Sequence, residues 1–387
     1  MHAATFFDGV EWREGVVEVV DGRVRLRDEL PRPDLPRLDG VVTGGFTDHH
    51  VHLQLVDHGL LAGSRLGRVV DLGGNPTVLR ELTGRFVSLR SLNDHPRPPS
   101  EKHHDHPRPS SDEQPRSSSD DHPRPPSDER PRSSSEERPR SLSEERSDET
   151  KRPVRIDFAG AFLTPPGGYP SDRGWAPEGS VREIADIEAA ATAVAEMADA
   201  GASAIKVASN SSAGPVFSDE LFRAITGLAA ARGLPVVAHA EGPGEAQRVV
   251  RLGAARLAHT PFTERLDDDE IAYQAASVSW ISTLAIHGAP ERTVAVDNLH
   301  RFHAAGGTVL YGTDMGNGPT PVDLDPGEIA ALREAGLDDD TLLRALAPLD
   351  LRDPSSPLLL LPRGSARADG LADPLDARPL TPADLKV

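Results

Sequence analysis

The chain has 387 residues, no cysteine and a formal net charge of −19 at pH 7. That length allows one large domain or two modest ones, the missing cysteine excludes a disulfide framework and a thiolate metal site, and the acidic balance argues against a nucleic-acid-binding face. No apolar run approaches the roughly 18 residues a membrane helix requires, and Glu11 and Arg13 arrive before a signal-peptide-like core can develop. The expectation is a soluble, cytoplasmic protein with neither membrane nor nucleic acid as partner.

Residues 15–20 and 23–26 are β-type apolar runs joined by Asp21-Gly22, a strong hairpin signal. Val41 and Val42 then lead into Gly44-Gly45-Phe46-Thr47-Asp48-His49-His50-Val51-His52-Leu53, a buried strand ending in polar residues. Side chains alternate along a strand, so His50 and His52 point to the same face. Two imidazoles so placed make half of a metal site, with zinc its usual guest. A second short strand covers residues 68–74 and closes on Gly73-Gly74.

From 91 to 152 the chain is almost purely Pro, Arg, Ser, Asp, Glu and His, with octads starting at Pro107, Pro115, Pro123, Pro131 and Pro139. Such a segment has no apolar face to bury and is expected to be a disordered insertion. Beyond it strands and helices alternate. Strands are expected at 155–163, 204–207, 235–239, 255–259, 278–284 and 308–314, with helices at 184–200, 219–231, 245–252 and 292–304. Gly201 is placed to cap the first of these helices.

With the strands near Val41 and Val69 the count reaches eight. Alternation of this kind implies a parallel sheet closed as an α/β, (β/α)8 TIM-type barrel. The expected domains are a small β-sandwich domain beginning with residues 1–43, the barrel at 44–90 and 153–350, and the insertion at 91–152. Residues 351–387 form a tail that could complete the β-domain. In a parallel barrel the strand C-termini gather at one mouth. His50, His52, Lys206, His239, His259 and Asp314 all sit near such ends. Singly, each has an ordinary structural reading, but the ordered set points to a metal centre.

This order resembles the amidohydrolase superfamily of metal-dependent hydrolases, and within it the imidazolonepropionase-like branch, which also contains peptidases of the prolidase kind. Gly45-Phe46-Thr47-Asp48-His49-His50-Val51-His52 matches the first-strand signature. Lys206-Val207, Val237-Ala238-His239-Ala240-Glu241, Leu257-Ala258-His259-Thr260 and Tyr311-Gly312-Thr313-Asp314 look like the fourth, fifth, sixth and eighth strands. The resemblance implies a binuclear site, with two zinc ions or similar divalent metals per chain. His50, His52 and Asp314 would hold one metal and His239 and His259 the other. Lys206, after reacting with carbon dioxide, would bridge them as a carbamate, because a free ammonium with pKa near roughly 10.4 cannot be a ligand. A metal-activated water would attack the carbonyl of an amide, cyclic amide or related bond of a small-molecule substrate, with Asp314 as general base.

Gly167-Gly168-Tyr169 stands where relatives often carry Gly-Gly-His. Tyr169 is therefore a substrate-binding candidate, and the enzyme is expected to act on carbon–nitrogen bonds without being peptide-specific. His287 is a second candidate at the mouth, Trp175 belongs to a candidate lid, and His49 reads as structural. Gly364-Ser365-Ala366-Arg367-Ala368-Asp369-Gly370-Leu371 is a loosened form of the superfamily's C-terminal pattern, and Pro374 interrupts any strand after it. Two alternatives stay open. One is a mononuclear deaminase, against which Glu241 stands two rather than three residues after His239 and Lys206 would be idle. The other is a non-catalytic barrel that binds partners through the octad insertion. A homo-oligomer is compatible with either.

Overall fold

The computed structural model describes residues 1–91, 154–353, 356–362 and 373–386. The octad insertion and the Gly364 to Leu371 pattern lie outside the described residues. Residues 1–92 and 152–387 make up one compact unit.

Strands β1 (His2–Phe7), β2 (Trp12–Val20), β3 (Arg23–Arg27) and β4 (Arg37–Gly44) begin the chain. The β2–β3 turn takes positive φ at both Asp21 (51°) and Gly22 (76°), the combination a two-residue hairpin with right-handed strand twist demands. Strands β5 (Phe46–Val51), β6 (Leu66–Asp71) and β7 (Arg155–Phe158) form a parallel three-stranded sheet. Strands β8 (Phe162–Thr164), β9 (Val181–Glu183), β10 (Ile205–Asn210), β11 (Val236–Glu241), β12 (Arg256–Leu257), β13 (Ser279–Ile281) and β14 (Thr308–Leu310) form a parallel sheet in the order β14-β13-β12-β11-β10-β8-β9. Hydrogen bonds join the two sheets at both sides. His49 N donates to Tyr311 O, His52 N to Met315 O and Met315 N to His50 O, while Ser203 N donates to Phe158 O.

The single strand expected over 155–163 is two strands, β7 and β8. Gly160 between them takes φ +79°, a left-handed conformation that ends an extended run. The strands expected to carry His259 and Asp314 are also shorter. β12 stops at Leu257 and β14 at Leu310, so both side chains stand on the irregular segments that follow. At the C-terminus, β15 (Leu358–Leu361) pairs antiparallel with β4, and β16 (Arg378–Pro379) pairs with β15 after a helical turn at Pro374–Asp376. The expected small sandwich is, in its hydrogen bonding, one six-stranded sheet in the order β16-β15-β4-β1-β2-β3.

The helices are α1 (Pro76–Ser91), α2 (Ile187–Ala200), α3 (Asp219–Ala230), α4 (Glu245–Arg251), α5 (Asp268–Ser277), α6 (Ala289–Ala304), α7 (Pro326–Glu334) and α8 (Asp339–Ala345). Asp186 caps α2 by accepting from Ala189 N, and Gly201 ends it at φ 92°, as capping chemistry predicts. Helix α6 starts three residues before the periodic pattern because Pro290 suits a first turn, where its missing N–H costs nothing. No helix among the described residues is long and apolar enough to cross a membrane.

The Trp280 ring on β13 stacks on Phe302 of α6 at 3.8 Å between centroids and 7° between planes. Its indole N–H donates to Gln274 Oε1 at 2.9 Å. Glu328, fully buried on α7, accepts from Ala285 N at 2.7 Å and so ties the helix to the segment after β13. Its other oxygen has no hydrogen-bond partner. Burial pushes the Glu328 carboxyl from 4.5 up to about 7.

Two outcomes follow for stability. Phe302→Ala removes one half of a packed ring pair and should cost about 3–5 kcal/mol in denaturant unfolding. Because a raised folded-state pKa means that ionisation opposes folding, Glu328 withdraws stability as pH rises from about 4.5 to about 7. Glu328→Gln should therefore gain on the wild type by on the order of 3 kcal/mol between pH 4.5 and pH 8, read from paired unfolding curves. A constant difference across that range would rule out a buried ionisable Glu328.

Candidate metal centre

His50 on β5 and His52 just after it project to one side, as their spacing requires. His50 Nδ1 lies 2.8 Å from the Ala258 carbonyl and His52 Nδ1 3.0 Å from that of Gly73. A carbonyl only accepts, so each Nδ1 carries the proton and each Nε2 presents a lone pair. Both lone pairs face one carboxylate oxygen. Asp314 Oδ1 is 3.2 Å from His50 Nε2 and 3.0 Å from His52 Nε2. Acceptor against acceptor at these distances is repulsive unless a proton or a metal cation lies between. His50 Nε2 and Asp314 Oδ1 are both buried without a hydrogen-bond partner.

The electrostatics agree. Burial alone would raise the Asp314 carboxyl, but the imidazoles of His50 and His52 outweigh it and hold Asp314 well below the usual carboxylate range. Burial drives His50 well below its ordinary value, whereas His52 is raised because Asp314 overcomes its desolvation. A proton shared with His52 can thus stand where a metal would.

Several groups pin this arrangement. Asp48 accepts from His50 N at 3.0 Å, Thr313 N at 3.2 Å and Thr313 Oγ1 at 2.6 Å, so it ties β5 to the segment carrying Asp314. Burial pushes Asp48 up to about 7 against these hydrogen bonds. Asp71 accepts from Leu53 N at 2.7 Å and Gly73 N at 3.0 Å, setting the segment whose carbonyl orients His52. Asp314 itself holds φ 53°, a left-handed conformation that costs on the order of 1–3 kcal/mol for such a residue. Gly312 lets the strands close in, since a Cβ there would sit 2.3 Å from Ile281 Cγ2 and 3.1 Å from His50 Cβ.

His259 Nδ1 is 2.9 Å from Thr283 Oγ1, and Thr283 is a β-branched residue at φ 46°. His239 Nε2 donates to Glu241 Oε2 at 3.1 Å, so that nitrogen is taken by the carboxylate. Asn210 Nδ2 holds the same carboxylate oxygen at 2.7 Å. The His259 ring lies 4.8 Å from that of His50 and 4.9 Å from that of His239. Lys206, on β10, is 1% exposed, and burial pushes its ammonium down to about 7 although Asp314 and Asp71 oppose the shift.

All six candidate ligands, with Tyr169 and His287, line one cavity of about 460 Å³. Potential ligand atoms of His50, His259 and Asp314 lie within 4.8 Å of one another. This tight group draws members from both expected metal positions, with His52 joined through Asp314 and His239 alongside His259. Tyr169 stacks on His239 at 5.3 Å, and burial raises its hydroxyl to about 12. Burial pushes His287 down to about 4. His49 turns away, bonds the Tyr311 carbonyl through Nδ1 at 3.1 Å and is pushed down to about 3 by burial.

Sequence reasoning passed over Asp48, Asp71, Thr283, Phe162 and Phe262. Asp48 and Asp71 sit on strands that were recognised, and an acidic residue inside a buried run is the signal that would have marked them. Thr283 and the two rings carry no such mark.

No family model and no curated protein matches the chain. Solved structures do. A Xaa-Pro dipeptidase with bound methionine aligns with 94% of this chain and 93% of its own at 15% identity and a TM-score of 0.61. An A. niger ochratoxinase aligns over 94% and 91% at 15% identity and 0.59, and phenylurea hydrolase B over 98% and 98% at 14% identity and 0.57. Over nearly its whole length, then, the chain has the fold of amidohydrolase-superfamily structures.

Proposed function

We propose that this protein is a metal-dependent hydrolase of an amide, cyclic amide or related carbonyl bond. The observation that carries the reading is the convergence of His50 Nε2 and His52 Nε2 on Asp314 Oδ1, which suits a divalent cation. The hydrogen bonds that join the two parallel sheets support closure of β5, β6, β7 and β10 to β14 into an eight-stranded barrel, with the cavity at its mouth. The dipeptidase and phenylurea hydrolase to which the fold is similar are named for cleavage of peptide and urea bonds, which favours the same reading.

In this reading His50, His52 and Asp314 hold one metal, and His239 and His259 hold a second. Histidine and carboxylate donors suit zinc. Lys206 is held near pH 7, so a substantial fraction is neutral amine. That amine could add to carbon dioxide and lose a proton, giving an anionic carbamate that would supply oxygen ligands to bound divalent metals. Divalent metals there would supply an acidified water and a polarised carbonyl. Asp314 takes the proton of the attacking water and returns it to the leaving nitrogen. Tyr169, a neutral phenol at the cavity wall, donates to the substrate carbonyl oxygen. Glu241 fixes the His239 ring through Nε2. The cavity suits a small molecule, and the acidic composition fits a cytoplasmic enzyme without a nucleic-acid partner.

A one-metal enzyme of the deaminase kind is the second reading, favoured by the tight His50, His259 and Asp314 group. Metal analysis of purified protein and of Lys206→Ala separates the two. Two metals per chain in the wild type, reduced in the variant together with a loss of activity above about 100-fold, is the expected result. One metal per chain unaffected by Lys206→Ala would favour the mononuclear reading. No metal after reconstitution would overturn both. Chelation should abolish turnover, and added zinc should restore it.

A further inference from the structure

The wall around the ligand cluster is aromatic on two sides. On one, Phe162 and Tyr169 lie 6.1 and 6.2 Å from the Trp175 ring, with the Phe162–Trp175 planes at 81°. On the other, Phe262 packs on His287 at 4.2 Å and 32° and stands perpendicular to the His259 ring at 6.2 Å. Trp175 keeps 41% of its surface exposed at the cavity rim, although a side chain of this size usually buries most of its area. The His287 Nε2 atom is buried and has no hydrogen-bond partner.

The charges on the wall are as informative as the rings. Apart from the proposed ligands, the one charged residue among the described lining residues is Glu241, an anion. No arginine lines the cavity among the described residues, and Lys206 belongs to the ligand cluster. Arg173, outside the lining, lies over the Tyr169 ring 5.7 Å from its centroid, pairs with Asp172 at 3.3 Å and adds its charge to the His239 hydrogen bond that lowers the Glu241 carboxyl. A free carboxylate on the substrate would therefore meet Glu241 with no fork of donors to receive it. An uncharged ring would meet aromatic faces, which prefer offset or edge-on partners at 4.5–7 Å.

Resting on the hydrolase reading, we propose that the substrate is an uncharged amide bearing an aryl group, whose ring lies between Trp175 and Phe262 with a polar substituent on His287 Nε2, and that carboxylate-bearing substrates are disfavoured. Hydrolysis then balances simply. The water oxygen bonds to the carbonyl carbon, the carbon–nitrogen bond breaks, and the water's proton leaves on the amine.

The test compares acetanilide with 4-acetamidobenzoate, which presents the same amide and ring with an added carboxylate. Equilibrium dialysis on metal-free protein reads binding, and kcat/KM on the zinc-loaded enzyme reads turnover. Acetanilide should bind and turn over at least about 10-fold better than the carboxylate. Trp175→Ala should weaken acetanilide binding and raise its KM by about 3- to 10-fold with kcat little changed. Equal handling of both probes, or a Trp175→Ala variant that binds acetanilide as well as the wild type, would overturn the proposal and leave the hydrolase reading intact. Acetanilide bound through Trp175 but never cleaved by a fully loaded enzyme would support the aryl slot while counting against the hydrolase reading. Absence of acetanilide binding to the metal-free protein would overturn the slot outright.

Discussion

His50 Nε2 and His52 Nε2 each lie within 3.2 Å of one buried carboxylate oxygen, Asp314 Oδ1. Water cannot separate these acceptors, and each has lost its hydration. The arrangement persists because the rest of the fold over-determines it. Backbone carbonyls of Gly73 and Ala258 turn the two rings. Asp48 ties the first strand to the segment bearing Asp314. Gly312 allows the backbones to approach more closely than any side chain would permit.

A second layer of buried acids supports the first. Asp48, Asp71 and Glu328 are all essentially inaccessible, and burial raises the carboxyl of each. Each accepts backbone N–H groups from a segment that carries or orients a candidate ligand. Asp48 serves Asp314, Asp71 serves His52, and Glu328 serves the stretch after β13 that includes Thr283 and His287. The same stretch holds Thr283 at φ 46° against His259. Strained backbone, buried acids and unpartnered acceptors therefore meet at one end of the parallel sheets.

The cavity separates two kinds of work. Its floor gathers nearly all the ionisable side chains, whose positions follow from strand ends. Its walls are rings and one anion: Phe162 and Glu241 stand on β8 and β11, while Tyr169 and Trp175 stand on the irregular stretch between β8 and β9. His50, Lys206 and His239 lie on strands, while His52, His259 and Asp314 lie on the segments just beyond strand ends, so both kinds of segment supply the floor.

Much of this was legible in the residues alone. Short buried apolar runs and helical spacing located most strands and four of the helices, and the Asp21-Gly22 hairpin and Gly201 cap could be read because their backbone conformations demand particular residues. The six candidate ligands could be named because ligand chemistry admits few side chains and parallel strands end together. What the chain could not declare is anything settled by approach between distant segments. That Asp48 ties β5 to the segment bearing Asp314, that His239 yields Nε2 to Glu241, and that Gly160 breaks a run into β7 and β8 depend on contacts across the fold. So do the raised carboxyls of Asp48 and Glu328, because desolvation belongs to a packed interior. Local sequence determines which groups are available and roughly where along the chain they act. Only the tertiary structure decides which lone pairs meet and which charges lose their water.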